Sequence, residues 1–219
     1  MINVAIDGPA GAGKSTVAKA VAKELGFIYV DTGALYRAVA LNAVRCGVID
    51  DDEKIVDMLK NTNVKLEFDE NGVQCVILNG EDVSGLIRTP EISMGASNVS
   101  KIPAVREFLL NLQRDIAKNN NVIMDGRDIG SVVLPNADKK IFLTASAECR
   151  AKRRYDELVA KGENVTFEDV LDDVNKRDYQ DSHREIAPMK PCDDSVIADN
   201  TGFNIEQSVK MIIDIIKGE

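Results

Sequence analysis

Residues 8–16 read Gly-Pro-Ala-Gly-Ala-Gly-Lys-Ser-Thr, lying between a short apolar run that ends at Asp7 and a stretch where Val17, Ala18, Val21, Ala22 and Leu25 recur at helical spacing. The run before it reads as a buried strand and Gly26 as the stop of the helix after it. A glycine-rich turn from strand into helix, with Lys14 and Ser15 in register, matches G-x-x-x-x-G-K-[ST] in the context that its chemistry requires. The glycines let successive backbone N–H groups curl round a phosphate. The helix N-terminus adds roughly half a positive charge, and Lys14 reaches the β and γ oxygens. Ser15 is placed to ligate Mg²⁺.

The grammar that follows is strand, helix, strand, helix. Phe27 to Val30 is a second apolar strand, and a helix runs through Leu35, Val39 and Cys46. Val122 to Met124, Lys140 to Leu143 and Ser195 to Ala198 supply three more strands. Five parallel strands flanked by helices fit an α/β fold. The last helix starts at Asn204 with Gln207 three residues on, a capping-box pair. Between about 62 and 87 the period changes to two: Val64, Leu66 and Phe68 alternate with charged residues, Asp69 to Gly72 turns the chain, and Asn79-Gly80 signals a second hairpin. This predicts a small antiparallel insert within a single domain spanning 1–219.

With 219 residues, 44% hydrophobic and 29% charged, the chain can bury about 70% of its unfolded surface. Disordered, collagen-like and rod-like classes are excluded. No apolar window is long enough to span a bilayer. The start lacks the basic and apolar regions of an export signal, so a cytoplasmic location is expected. The net charge of −9 argues against a nucleic-acid polymer as partner. Cys46, Cys75, Cys149 and Cys192 show no metal-ligand spacing and read as thiols. With no apolar surface stripe evident, a monomer is expected.

Other motifs narrow the second substrate. Asp31-Thr-Gly-Ala-Leu-Tyr-Arg37 begins where the second strand ends, the edge where α/β sheets bind ligands. Thr32 can donate there and Arg37 supplies a planar cation suited to phosphate. Asp125-Gly-Arg-Asp128 follows the Val122 to Met124 strand in the same way. Asp125 then stands where it can orient Mg²⁺ through water or hydrogen-bond Ser15, with Arg127 as a second cation. Arg150, Arg153 and Arg154 share one helix face at i, i+3, i+4, where Glu148 and Glu157 are also near. Arg177, Asp181 and Arg184 lie on the next helix beyond Gly162, which gives the build of a lid over about 150–184. The arginine excess suits phosphoryl transfer. A guanine-reading N-K-x-D at Asn175 to Asp178 is set aside because Phe167, Val170, Leu171 and Val174 make that segment a helix face. His183 reads as surface.

Together Gly8 to Thr16, the Asp31 to Arg37 segment, Gly80-Glu-Asp-Val-Ser-Gly-Leu-Ile-Arg88-Thr, Asp125 to Asp128 and Arg177-Asp178 to Pro188 resemble bacterial cytidylate kinases, nucleoside monophosphate kinases built on this P-loop. The resemblance runs from Asn3 to the last helix. It implies ATP-dependent phosphorylation of CMP and dCMP with Mg²⁺, and assigns the 62–87 insert to the monophosphate lobe. It further implies ATP binding by Gly8, Pro9, Ala10, Gly11, Ala12, Gly13, Lys14, Ser15, Thr16, Arg150, Arg153 and Arg154. Thr32, Arg37 and Arg127 would hold the acceptor phosphate, Ser97, Arg106 and Asp128 the base, and Arg177 and Asp181 the sugar. Lys14, Arg127 and Arg184 would be the catalytic cations, and Ser15 and Asp125 the metal-side residues. Another P-loop small-metabolite kinase or a non-catalytic nucleotide switch are the alternatives.

Overall fold

The structure, a computed structural model, describes residues 1–70 and 72–218. The Asn71 position of the expected Asp69 to Gly72 turn lies outside the described residues. In chain order the elements are β1 (Asn3–Asp7), α1 (Lys14–Leu25), β2 (Ile28–Asp31), α2 (Thr32–Arg45), α3 (Asp52–Leu59), β3 (Val64–Phe68), β4 (Gln74–Leu78) and β5 (Glu81–Asp82). There follow α4 (Pro90–Val99), α5 (Pro103–Asn119), β6 (Val122–Gly126), a π-helical turn at Ile129–Val133, β7 (Lys139–Thr144), α6 (Ala147–Ala160), α7 (Phe167–His183), β8 (Val196–Asp199) and α8 (Ile205–Lys217).

The strands form a five-stranded sheet in the order β2-β6-β1-β7-β8 and a three-stranded sheet in the order β3-β4-β5. β1 runs parallel to β7, with Val4 opposite Lys139 and Asp7 opposite Phe142, and β7 runs parallel to β8. Val4, Ala5 and Ile6 are fully buried, as a strand covered on both faces must be. The chain divides into two compact units, Met1 with Ile28–Val122 and Ile2–Phe27 with Ile123–Glu219.

In the first unit α2 packs Ala34, Leu35, Ala38 and Val39 into one core with Ile92 and Val99 of α4, Val105 and Leu109 of α5, and Val76 and Leu78 of the antiparallel sheet. Gly95 lets α4 come close, since a Cβ there would stand 3.2 Å from that of Ala40. The insert is an antiparallel meander as the alternation predicts, Val64 opposite Leu78 and Phe68 opposite Gln74. Asn79 and Gly80 both take positive φ, 50° and 90°, the geometry of a tight hairpin turn.

In the second unit α6 and α7 bury Ala151 and Leu158 against Val170 and Val174, with Tyr155 and Phe167 edge to face at 6.3 Å. The Asn204 side chain accepts from Gln207 N, and Gln207 closes the capping box on α8. Several boundaries differ from expectation: β8 runs one residue later than Ser195 to Ala198, β6 and β7 extend past the expected ends, and α2 ends at Arg45. β2 starts at Ile28 because Phe27 N–H still serves α1, donating to Ala22 O at 2.8 Å behind the left-handed Gly26 cap. α7 ends at His183, so Arg184 is extended rather than helical; its Nε donates to Ala187 O at 2.6 Å.

Gly8 fixes how β1 leaves the sheet. Its φ is 144°, and a Cβ would fall 2.0 Å from the Leu143 carbonyl oxygen of β7. Gly8→Ala is expected to cost about 3 kcal/mol or more in urea unfolding. Gly26→Ala, equally left-handed but with open space around it, should cost only about 1–2 kcal/mol.

Candidate active site

In the second unit the loop from Gly8 to Gly13 carries β1 into α1. Gly11 and Gly13 take φ of 78° and 83°, and Gly13 is a left-handed N-cap with no side-chain hydrogen bond to the first turn. Side-chain capping is replaced by an arrangement that presents backbone donors, the requirement for a phosphate. Lys14 is 6% exposed and its Nζ donates to Pro9 O at 2.7 Å. Burial first, and then the charge of Arg127, depress its pKa well below the usual lysine range; Arg177 adds to this, while Asp125 and Asp7 oppose it. An ammonium crowded by guanidinium groups is relieved by an anion among them.

Ser15 Oγ donates to Asp125 Oδ2 at 2.8 Å, joining the start of α1 to the end of β6. This hydroxyl and carboxylate form an oxygen pair of the kind that suits Mg²⁺ entering with phosphate groups. Around them the cations are held by carboxylates. Arg127 Nε donates to Asp181 at 2.7 Å, and Arg184 Nη2 to Asp128 at 3.2 Å with both side chains under 10% exposed. Burial pulls the Asp181 carboxyl upward, but Arg127, Arg177 and Arg184 together outweigh it and hold it below the usual aspartate range.

The three arginines of α6 do different things. Arg150 is 5% exposed: Nε donates to Ala145 O, Nη1 to Ala10 O at 3.0 Å, and Nη1 and Nη2 grip Asp178 at 3.1 and 2.6 Å. Arg153 binds Asn200 Oδ1 and O at 3.1 and 3.0 Å. Arg154 pairs locally with Glu157 at 2.9 Å, its side chain 40% exposed. Asp178 of the N-K-x-D segment therefore lies on α7 and serves Arg150, as the helical reading of that segment requires. His183 is exposed and stacks on Tyr179.

In the first unit Asp31 organises the Asp31 to Arg37 segment. Its Oδ1 accepts from Ala34 N at 3.0 Å as the N-cap of α2, and its Oδ2 takes Arg37 Nη2 at 2.7 Å and Arg88 Nη2 at 3.5 Å. The backbone of Asp31 is held at both ends by Gln74 of β4, which accepts from its N at 2.8 Å and donates to its O at 3.2 Å. Arg37 Nε is buried and has no hydrogen-bond partner in the structure, a donor that suits an anionic ligand. Thr32 is buried at the first position of α2. Arg106 donates to Ser100 O at 3.2 Å and lies over the Tyr36 ring at 5.8 Å. Half-buried Ser97 is on α4, its carbonyl accepting from Ser100 Oγ.

The sequence model of the cytidylate kinase family matches residues 4–218. The chain belongs to that family. Cytidylate kinase from Caldicellulosiruptor bescii is 50% identical over 215 residues, 98% of this chain and 95% of the relative. That from Ligilactobacillus salivarius is 50% identical over 218 residues, 99% and 96%. An uncharacterized protein from Eubacterium ventriosum shares the fold over the whole of both chains, TM-score 0.55 at 14% identity. The nucleoside monophosphate kinase class and the five-stranded α/β fold thus match the sequence reading, and no described helix is long and apolar enough to cross a membrane.

Three residues that brace these arrangements escape a sequence reading: Asp7 and Asn200 in the second unit and Gln74 in the first. Asp7 accepts from Ile129 N and Gly130 N, each at 2.8 Å, which locks the π-helical turn behind Asp128. Burial raises its pKa from 3.8 to about 6; the two N–H groups pull it down, Asp128 pushes it up and Lys14 pulls it down. Because the folded state holds this proton more tightly than the unfolded chain, the ionised form costs stability. Its contribution, measured against Asp7→Asn, should be fully present below pH 4 and fall by about 3 kcal/mol as pH rises through 6. A difference between the two proteins that stays flat from pH 4 to 7 would contradict this.

Proposed function

We infer that the protein transfers the γ-phosphoryl group of ATP to CMP and dCMP, giving CDP and dCDP. The observation that carries this reading is the family match across nearly the entire chain, joined to a glycine loop that Lys14 braces at Pro9 O and to Ser15, whose hydroxyl donates to Asp125 at the end of β6. Gly8 to Thr16 would cradle the phosphates of ATP, with Arg154 approaching from α6. Ser15, and Asp125 through water, would hold Mg²⁺, which when bound supplies positive charge against that of the phosphates.

The acceptor would be held through its phosphate by Thr32, Arg37 and Arg127, and through its sugar by Arg177 and Asp181. An oxygen of the CMP phosphate attacks the γ-phosphorus, the bond to the ADP oxygen breaks, and Lys14, Arg127 and Arg184 stabilise charge on the transferred group. Arg127 is pre-oriented by Asp181 and Arg184 by Asp128, so these guanidinium groups need little reorganisation. Ser97, Arg106 and Asp128 would read the base. Cytosine offers N3 and O2 as acceptors and N4–H₂ as a donor, and uracil reverses the polarity at N3 and position 4. Asp128 accepts from Arg184, and an ionised carboxylate is an acceptor only, the partner that an amino group such as cytosine N4–H₂ takes.

In domain terms we read 62–87 as the core of the monophosphate lobe and 150–184 as a lid over a single kinase domain. We place the protein in the cytoplasm as a monomer acting on small molecules. Four free cysteines and a charge of −9 fit that setting.

ADP formation, measured in parallel on CMP, dCMP, UMP and AMP, should be fast on the first two. Equal rates on UMP would discard the role given to Asp128, and no turnover on any would refute the reading. Arg37→Ala should raise the KM for CMP about 10-fold to 100-fold and lower kcat, since a charge-assisted bond is worth about 1.5–3 kcal/mol. Asp128→Ala should narrow the preference for CMP over UMP by about 10-fold. Unchanged kinetics would remove either residue from the site.

A further inference from the structure

A planar trans peptide sends its C=O and N–H in opposite directions. A loop that turns N–H groups toward a phosphate therefore turns carbonyls away from it, and buried carbonyls need donors. In this chain those donors are specific. The oxygen of the Ala10–Gly11 peptide accepts from Arg150 Nη1 at 3.0 Å. The oxygen of the Ala12–Gly13 peptide accepts from Asn200 Nδ2 at 3.0 Å, with Arg153 Nη1 at 3.5 Å.

Both anchors are over-determined. Asn200 is 1% exposed, at the exit of β8. Its N donates to Thr144 O, its Nδ2 also reaches Ser208 Oγ at 3.3 Å, and its Oδ1 and O receive Arg153. That leaves the amide one orientation, with nitrogen toward the loop. Arg150 is clamped by Asp178, which lies on α7 beside Arg177 and three residues before Asp181. Burial and the contacts to Ala145, Ala10 and Asp178 aim the Arg150 guanidinium at the outer side of the loop.

We propose that Asn200 and the Arg150–Asp178 pair are positioning residues for the donor nucleotide: they fix the amides of Gly13 and Gly11 toward its phosphates without touching them. Through Asp178 the same contact sets the posture of α7. This rests on the assignment of the loop to ATP, and it moves Arg150 from a ligand of ATP to a support of the residues that are.

The test uses the full chain and ADP as probe, with binding read by calorimetry. Asn200→Asp keeps the volume and the acceptor for Arg153 but sets an oxygen against Ala12 O. Arg150→Lys keeps a charge but cannot hold Ala10 and Asp178 together. Each is expected to weaken ADP at least 10-fold, about 1.4 kcal/mol, and to raise the KM for ATP, while the KM for CMP stays within twofold. In the unaltered protein, the ¹⁵N-labelled Gly11 and Gly13 amides should show the largest shifts on adding ADP, a readout that survives if a variant fails to fold. ADP affinity within twofold of the parent, an equal loss for CMP, or unmoved Gly11 and Gly13 amides would overturn the proposal. If the unaltered protein did not bind ADP, the donor assignment itself would fall.

Discussion

Everything in the second unit depends on one backbone segment being held open. Gly8 must leave β1 at a φ that no side chain tolerates because the β7 carbonyl lies 2.0 Å from where its Cβ would be. Gly11 and Gly13 follow in left-handed conformations. Three glycines of this kind have little conformational preference of their own, so the shape has to be imposed from outside. Lys14 on Pro9 O, Arg150 on Ala10 O and Asn200 on Ala12 O impose it. Each is bonded to a loop carbonyl whose peptide nitrogen faces the other way.

The same logic governs the charges. Arg127, Arg150 and Arg184 are each paired with an aspartate in α7 or beside the π-helical turn. Buried pairs of this sort contribute little net stability, yet losing one partner costs about 3–5 kcal/mol. Their value lies in orientation. A guanidinium locked by one carboxylate presents its remaining N–H groups at a fixed angle, and Asp31 does the same for Arg37 in the first unit.

Much of this was legible in the sequence because it is local. Strand, loop and helix from Asn3 to Gly26, the alternating Val64 to Phe68, the Asn79-Gly80 turn and the Asn204 capping box each declare themselves within a few residues. α3, α4 and α5 were open to the same reading through Asp51, Thr89-Pro90 and Pro103, which start them. The partners were not legible. Gln74 meets Asp31 across 43 residues, Arg150 meets Ala10 across 140, and Asn200 meets Ala12 across 188. No periodicity encodes contacts of that range. The face shared by Arg150, Arg153 and Arg154 was readable as a helical stripe, but which way each guanidinium turns depends on where β8 ends and where Asp178 comes to lie.

Gln74 has one more consequence. β2 is the outermost strand on its side of the five-stranded sheet, and an outer strand offers unpaired amides to any passing chain. The carboxamide of Gln74 answers both the N–H and the C=O of Asp31, which are the two bonds a neighbouring strand would make there. A single side chain thus impersonates one residue of a missing strand. It closes the rim at the residue whose carboxylate caps α2 and holds Arg37, so one amide both shields an edge and fixes the start of a helix.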